Sequence, residues 1–125
     1  FSVEEAVNLV TVSLNNRKRL NGKILSVNMG SARMIDILKC WISRYGGKYK
    51  IINQRKGDRL DEYLIGNEEL IFAYKQIFHG KNYFVIDFNK PSRKPLKKII
   101  SSSNTKKLSK KEILKILSFG LNEKK

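Results

Sequence analysis

A chain of 125 residues is long enough to bury one hydrophobic core, and its 41% apolar and 10% aromatic content argues against wholesale disorder. No run approaches the ~20 apolar residues of a membrane span, no secretory signal is visible, and the single cysteine, Cys40, excludes an internal disulfide or a paired-thiolate metal site. That cysteine usage fits a reducing, cytoplasmic setting, and the net charge of +15 exceeds the roughly 2–8 units common for a small domain. The charge admits three readings: a polyanion partner, a basic surface around one small anionic ligand, or a lysine-rich coding bias.

The chain opens on a capping box, Ser2 with Glu5, over which Phe1 can pack. Val3, Ala6, Val7, Val10 and Leu14 recur at helical spacing and predict an amphipathic helix that stops near Asn15-Asn16. Arg17-Lys18-Arg19 follows, then an Asn21-Gly22 turn. Ile24, Leu25, Val27 and Met29 predict a short buried strand, and Gly30-Ser31 turns into a second helix with Ser31 as N-cap. Met34, Leu38, Trp41 and Tyr45 give that helix its apolar stripe, Ile35 and Ile42 widen it, and Gly46-Gly47 ends it. Residues 48–54, KYKIINQ, read as the next buried strand, which suggests parallel strands joined by a crossover helix.

Asn67 starts a turn with Glu68 and Glu69, and Ile71–Phe78 and Tyr83–Phe88 read as a hairpin around His79-Gly80-Lys81-Asn82, with a helical turn at 67–75 as the alternative. Residues 89–107 read as an irregular basic connection containing Pro91 and Pro95, and residues 108–120 as a C-terminal helix. That helix has its own capping box, Ser109 with Glu112, a Leu108/Ile113 staple and a stop at Gly120. The fold class is α/β or, more narrowly, α+β: a small mixed sheet with packed helices, in one domain over 1–125.

Motifs for self-contained catalysis are missing: no H-E-x-x-H, no G-x-S-x-G, no phosphate loop and no glycine-rich dinucleotide fingerprint. His79, the single histidine, reads as a turn residue rather than a metal ligand. Asp58, Asp61 and Glu62 could form an acid/base pair or simply be solvated. The stretch Arg55-Lys56-Gly57-Asp58-Arg59-Leu60-Asp61-Glu62 carries the main chemical signal. If residues 48–54 form a buried strand, Arg55 stands at its C-terminal end, where open α/β sheets bind ligands. Its guanidinium is a planar fork suited to phosphate, Gly57 allows a tight turn, and Glu62 can accept both hydroxyls of a ribose. The competing reading is a surface ion pair between Arg55 or Arg59 and Glu62, worth little in water.

This stretch resembles the R-P-G-E-K-x-x-E motif of bacterial polysaccharide-biosynthesis epimerases and dehydratases, CapD-like members of the extended short-chain dehydrogenase/reductase superfamily that act on UDP-N-acetylhexosamines. FSVEEAVNLV resembles that family's F-x-x-x-E-E-A-V-x-L-V helix, and GKILSVNMGSARMIDI resembles its G-E-I-F-V-x-x-M-x-S-x-x-I-x-D-L segment. ISSSNTKKLSKKEILKIL resembles the C-terminal S-x-N-T-x-x-L-S-x-x-E helix of one branch. The resemblance implies that Arg55 contacts the UDP diphosphate and Glu62 the uridine ribose, with Arg59 and Gly57 as further substrate-binding positions. Lys56, Asp58 and Arg59 replace the motif's proline, glutamate and lysine.

The family's G-x-x-G-x-x-G loop and Tyr-x-x-x-Lys pair have no counterpart here. The chain also opens inside a helix cap with no initiating methionine. It is therefore read as the C-terminal, UDP-sugar-binding part of a longer 4,6-dehydratase or 4-epimerase, inactive alone. The implied partners are a UDP-sugar and the cofactor-binding half, which is expected to hold NAD(P); a homo-oligomer stays open. Neither a metal, a cofactor in this segment, a membrane nor a nucleic acid is expected. The rival reading is a small basic nucleic-acid-binding domain, since basic residues interleave with Tyr45, Tyr49, Tyr74 and Tyr83, although no recognition motif accompanies them. A third is a protein-interaction domain with Trp41 and the tyrosines in its core.

Overall fold

A computed structural model describes residues 2–53 and 55–118. In chain order the elements are α1 (Val3–Asn15), α2 (Arg17–Leu20), β1 (Ile24–Val27), α3 (Met34–Tyr45), β2 (Tyr63–Ile65), β3 (Ala73–Phe78), β4 (Lys81–Ile86), β5 (Ile100–Ser101) and α4 (Lys110–Ser118). The chain is α+β, with helices packed on two small sheets. One sheet has the order β1-β4-β3 and the other pairs β2 with β5. Every strand pair in them is antiparallel. The parallel crossover suggested by the sequence does not form, because residues 48–53 make no strand and leave β1 without a parallel neighbour.

The hairpin β3–β4 organises the core. Its two-residue loop, His79-Gly80, has positive φ at both positions (49° and 74°), as the tightest right-twisting hairpin turns require. The loop is thus shorter than the predicted four-residue turn, and Lys81 and Asn82 join β4. β4 lies between two partners and is buried on both faces. Tyr83 and Val85 pack with Val12, Leu20 and Phe78 on the helix side. Phe84 and Ile86 pack with Ile65 and Ala73 on the side of β2. Fully burying a side chain such as Val85 or Ile65, each 0% exposed, is worth about 1.5–3 kcal/mol.

Both capping boxes form. The Glu5 carboxylate accepts from the Ser2 amide at 2.7 Å, and the Glu112 carboxylate accepts from the Ser109 amide at 2.8 Å. α1 ends at Asn15 and Gly46 ends α3, both as expected. Phe1 and Gly120 lie outside the described residues, as does the last part of the helix expected over 108–120.

The orientation of α1 departs from its sequence pattern. Leu9 and Val12 face the core, whereas Val3, Val7, Val10 and Leu14 are 58–69% exposed. Periodicity located an apolar face but not what covers it, since α1 is apolar on two sides. On α3, Cys40 is buried while Met34, Trp41 and Tyr45 are exposed, with the Trp41 and Tyr45 rings stacked at 4.6 Å. The core reading of Trp41 and Tyr45 therefore fails. Ser31 does not cap α3; Arg33 occupies that position and its guanidinium binds Asp36. Within 89–107, Ile100–Ser101 forms β5.

Candidate functional site

Arg55, Gly57 and Asp58 build a closed turn. The Asp58 amide donates to the Arg55 carbonyl at 3.1 Å, and the Arg55 amide donates to Asp58 Oδ2 at 2.9 Å. Gly57 has φ 95°, the left-handed value needed at the third residue of a type II turn, so its flexibility is used. The chain leading into this turn is a correction to the sequence reading. Ile51 and Ile52 are 82% and 68% exposed and belong to no strand, so Arg55 is not fixed at a sheet's rim. Arg55, Gly57 and Arg59 are all solvent-exposed.

Glu62 is held by longer-range contacts. Its amide donates to Ser102 Oγ at 3.1 Å, and its carbonyl accepts from the Ser102 amide at 2.8 Å. Ser102 Oγ in turn donates to Asp61 at 2.8 Å. These bonds join the end of the motif to the loop after β5, beside the β2–β5 pair. Among the described residues no ion pair joins Arg55 or Arg59 to Glu62. The surface ion-pair reading is thus absent from the structure.

The segment after β1 reaches the same place. Ser31 forms a parallel bridge with Lys107: its amide donates to the Lys106 carbonyl and its carbonyl accepts from the Leu108 amide. Ser31 Oγ donates to the Ser102 carbonyl at 2.8 Å, and the Lys107 ammonium donates to Ser31 Oγ and to the Ser102 carbonyl. Gly30 allows this approach, since a Cβ there would lie 2.5 Å from Leu108 Cδ2.

Met29, Gly30, Ser31, Glu62, Tyr63, Leu64, Ser102 and Thr105 line a cavity of about 170 Å³. That is smaller than the roughly 300–1,000 Å³ of a typical small-molecule cleft, so it can take one portion of a ligand. Of the predicted substrate-binding residues, Glu62 lines it and Arg55, Gly57 and Arg59 do not.

Sequence reasoning missed the hydroxyl group. Ser31 was read as a helix cap and Ser102 and Thr105 as turn residues. The signal was nonetheless present, because these are the serine and threonine letters of two of the resembling segments. Asn104, between them, is structural: its side chain accepts from the Ser101 amide at 2.9 Å and donates to the Ile99 carbonyl at 2.7 Å.

α4 pins the other edge of this loop. The Lys106 ammonium sits 2.7 Å from Glu112. That ion pair, followed by the Ser109 hydroxyl and amide, pulls the Glu112 carboxyl down to about 2 against the opposing effect of desolvation. Among the described residues there is no cluster of metal-ligating side chains and no helix long and apolar enough to cross a membrane. Compared with known proteins, the chain matches no family model and no curated relative.

Proposed function

We propose that this chain is the UDP-sugar-binding part of a nucleotide-sugar 4,6-dehydratase or 4-epimerase of bacterial surface polysaccharide biosynthesis. One observation carries the reading. Three separate segments resemble the family, and letters of all three resemblances line one cavity: Met29 and Ser31, Glu62, and Ser102 and Thr105. Segments resembling a family by chance have no reason to converge on a shared pocket.

The chemistry assigned to the residues follows their types. Glu62 accepts the ribose hydroxyls, with the Ser31, Ser102 and Thr105 hydroxyls beside it as donors or acceptors. Arg55 reaches from its turn to the diphosphate, where a guanidinium matches paired oxygens. The cavity alone does not enclose a nucleotide sugar, so the other wall comes from the cofactor-binding part of the parent enzyme. The exposed Val3, Val7, Val10 and Leu14 stripe of α1 supports such a partner, because a continuous apolar helix face is a common mark of an interface. NAD(P), bound by that part, supplies the hydride acceptor; no redox step is assigned to residues of this chain.

The test is a titration with UDP-N-acetylglucosamine, followed through backbone amide signals. The reading expects shifts at Ser31, Glu62, Ser102 and the Arg55–Asp58 turn, and none there from a random DNA duplex. Shifts confined to lysines elsewhere would contradict it.

A further inference from the structure

The nucleotide-sugar reading leaves most of the +15 charge unused, since a diphosphate carries about two negative charges. The structure gathers part of this surplus along the edge strand β3. Two adjoining cavities, of about 370 and 490 Å³, share Lys23 and Tyr74. Lys18 and Arg19 from α2 line the first. Lys90, Arg93 and Lys94 line the second. We propose that this groove binds single-stranded nucleic acid, its flanking cations meeting successive phosphates and Tyr74 offering a ring face to a base.

Three features favour that occupant. First, the groove is nearly free of opposing charge. Asp87 is the one acid lining it, and it is already committed: buried at 5% exposure, it lies 3.5 Å from Lys23 and accepts from the Asn89 amide and side chain. Second, the cations are held in place on both flanks. Arg19 lies over the Phe78 ring at 5.5 Å. The Arg93–Lys94 side is fixed by backbone bonds from Ser92 to the Ile71 carbonyl (2.8 Å) and from Leu96 to the Ala73 carbonyl (2.9 Å). Third, Tyr74 stands where the two cavities meet, only partly buried, and a basic channel with an aromatic platform is how single strands are commonly gripped. A flat membrane surface would meet the rims of this groove but not its floor.

The groove shares no residue with the Glu62 cavity, so its test is independent of the nucleotide-sugar reading. The probe is a short fluorescent oligothymidylate, with anisotropy read from about 50 to 200 mM salt. Wild-type affinity is expected to fall with a log–log slope of about −0.7 per phosphate met, and the Arg93→Ala/Lys94→Ala pair to make that slope shallower by about 1.4. Tyr74→Leu is expected to weaken binding roughly 5- to 150-fold with the slope unchanged. The control pair, Lys48→Ala/Lys50→Ala, removes equal charge from an exposed segment outside the groove. Losses from the control equal to those from Arg93/Lys94 would overturn the proposal, as would undetectable wild-type binding. Heparin bound as tightly as the oligonucleotide, with no dependence on Tyr74, would also overturn it in favour of any linear polyanion. Should Tyr74→Leu fail to fold by circular dichroism, the two charge pairs decide the matter alone.

Discussion

Arg55 and Glu62 stand seven residues apart, yet the chain holds them by different means. Glu62 is tied through its backbone to Ser102, forty residues on, and that loop is tied to Ser31 and to α4. Arg55 is tied to Asp58 in a local turn that follows an exposed, irregular segment. One end of the motif is built into the domain and the other projects from it. The difference suits a divided task. A ribose is recognised by a fixed acceptor at fixed distance, whereas a diphosphate between two walls is met by a long cation on a small turn.

Removing each group from the ligand side gives the largest expected effects. Arg55→Ala and Glu62→Ala each lose a hydrogen bond involving a charged group, worth about 1.5–3 kcal/mol, or roughly 10- to 150-fold in UDP affinity. Folding stability should stay within about 0.5 kcal/mol, since both side chains are exposed. Isothermal titration and thermal melts separate the two. A large loss of stability with Arg55→Ala would break the contrast between the built-in and projecting ends.

The anchored end is expected to respond in stability instead. Gly30→Ala forces a methyl against Leu108 and should cost about 1–3 kcal/mol by chemical denaturation, as overpacked sites do. Unchanged stability would mean that the Ser31–Lys107 bridge relaxes freely. Ser102→Ala removes the hydroxyl that accepts from Glu62 and donates to Asp61. Each such bond contributes about 0.5–1.5 kcal/mol, and UDP affinity should fall with it because Glu62 loses its tether.

How much of this was readable in the sequence depends on the range of the interaction involved. Ser2 with Glu5, Ser109 with Glu112, and the Gly46 stop are local devices, and each formed as its spacing implied. The hairpin was found from its alternation but with an overlong loop, because His79 is not a residue that advertises positive φ. Residues 48–53 failed for the opposite reason. Their apolar run looks like a strand, but no neighbouring strand is placed to pair with it, and an unpaired run stays irregular whatever its propensity. At the candidate site, Glu62 was legible from its motif. Its serine and threonine neighbours were not, since their meeting depends on Ser31, Glu62 and Ser102 being brought together across seventy-one residues.

Two smaller effects sharpen the comparison. The folded-state depression of Glu112 means that its box stabilises α4 fully above the ordinary carboxylate value of 4.5, and that this contribution is lost as pH falls toward about 2. Glu112→Gln should therefore lower the melting temperature near neutral pH, and the gap from wild type should close toward pH 2. A gap that persisted there would point to packing rather than charge. Lys56 occupies the second position of the Arg55–Asp58 turn, where proline presets the backbone. Lys56→Pro should stabilise the chain by about 0.4–1 kcal/mol and tighten UDP binding slightly, as seen in melts and titrations.

The central claim is that Arg55 acts as a specific diphosphate ligand and not as one more charge on a basic surface. The most direct check compares UDP affinity in Arg55→Ala and Lys97→Ala, two exposed single-charge losses. The account predicts a loss of roughly tenfold or more for Arg55→Ala and less than about twofold for Lys97→Ala. Equal losses in the two variants would contradict it.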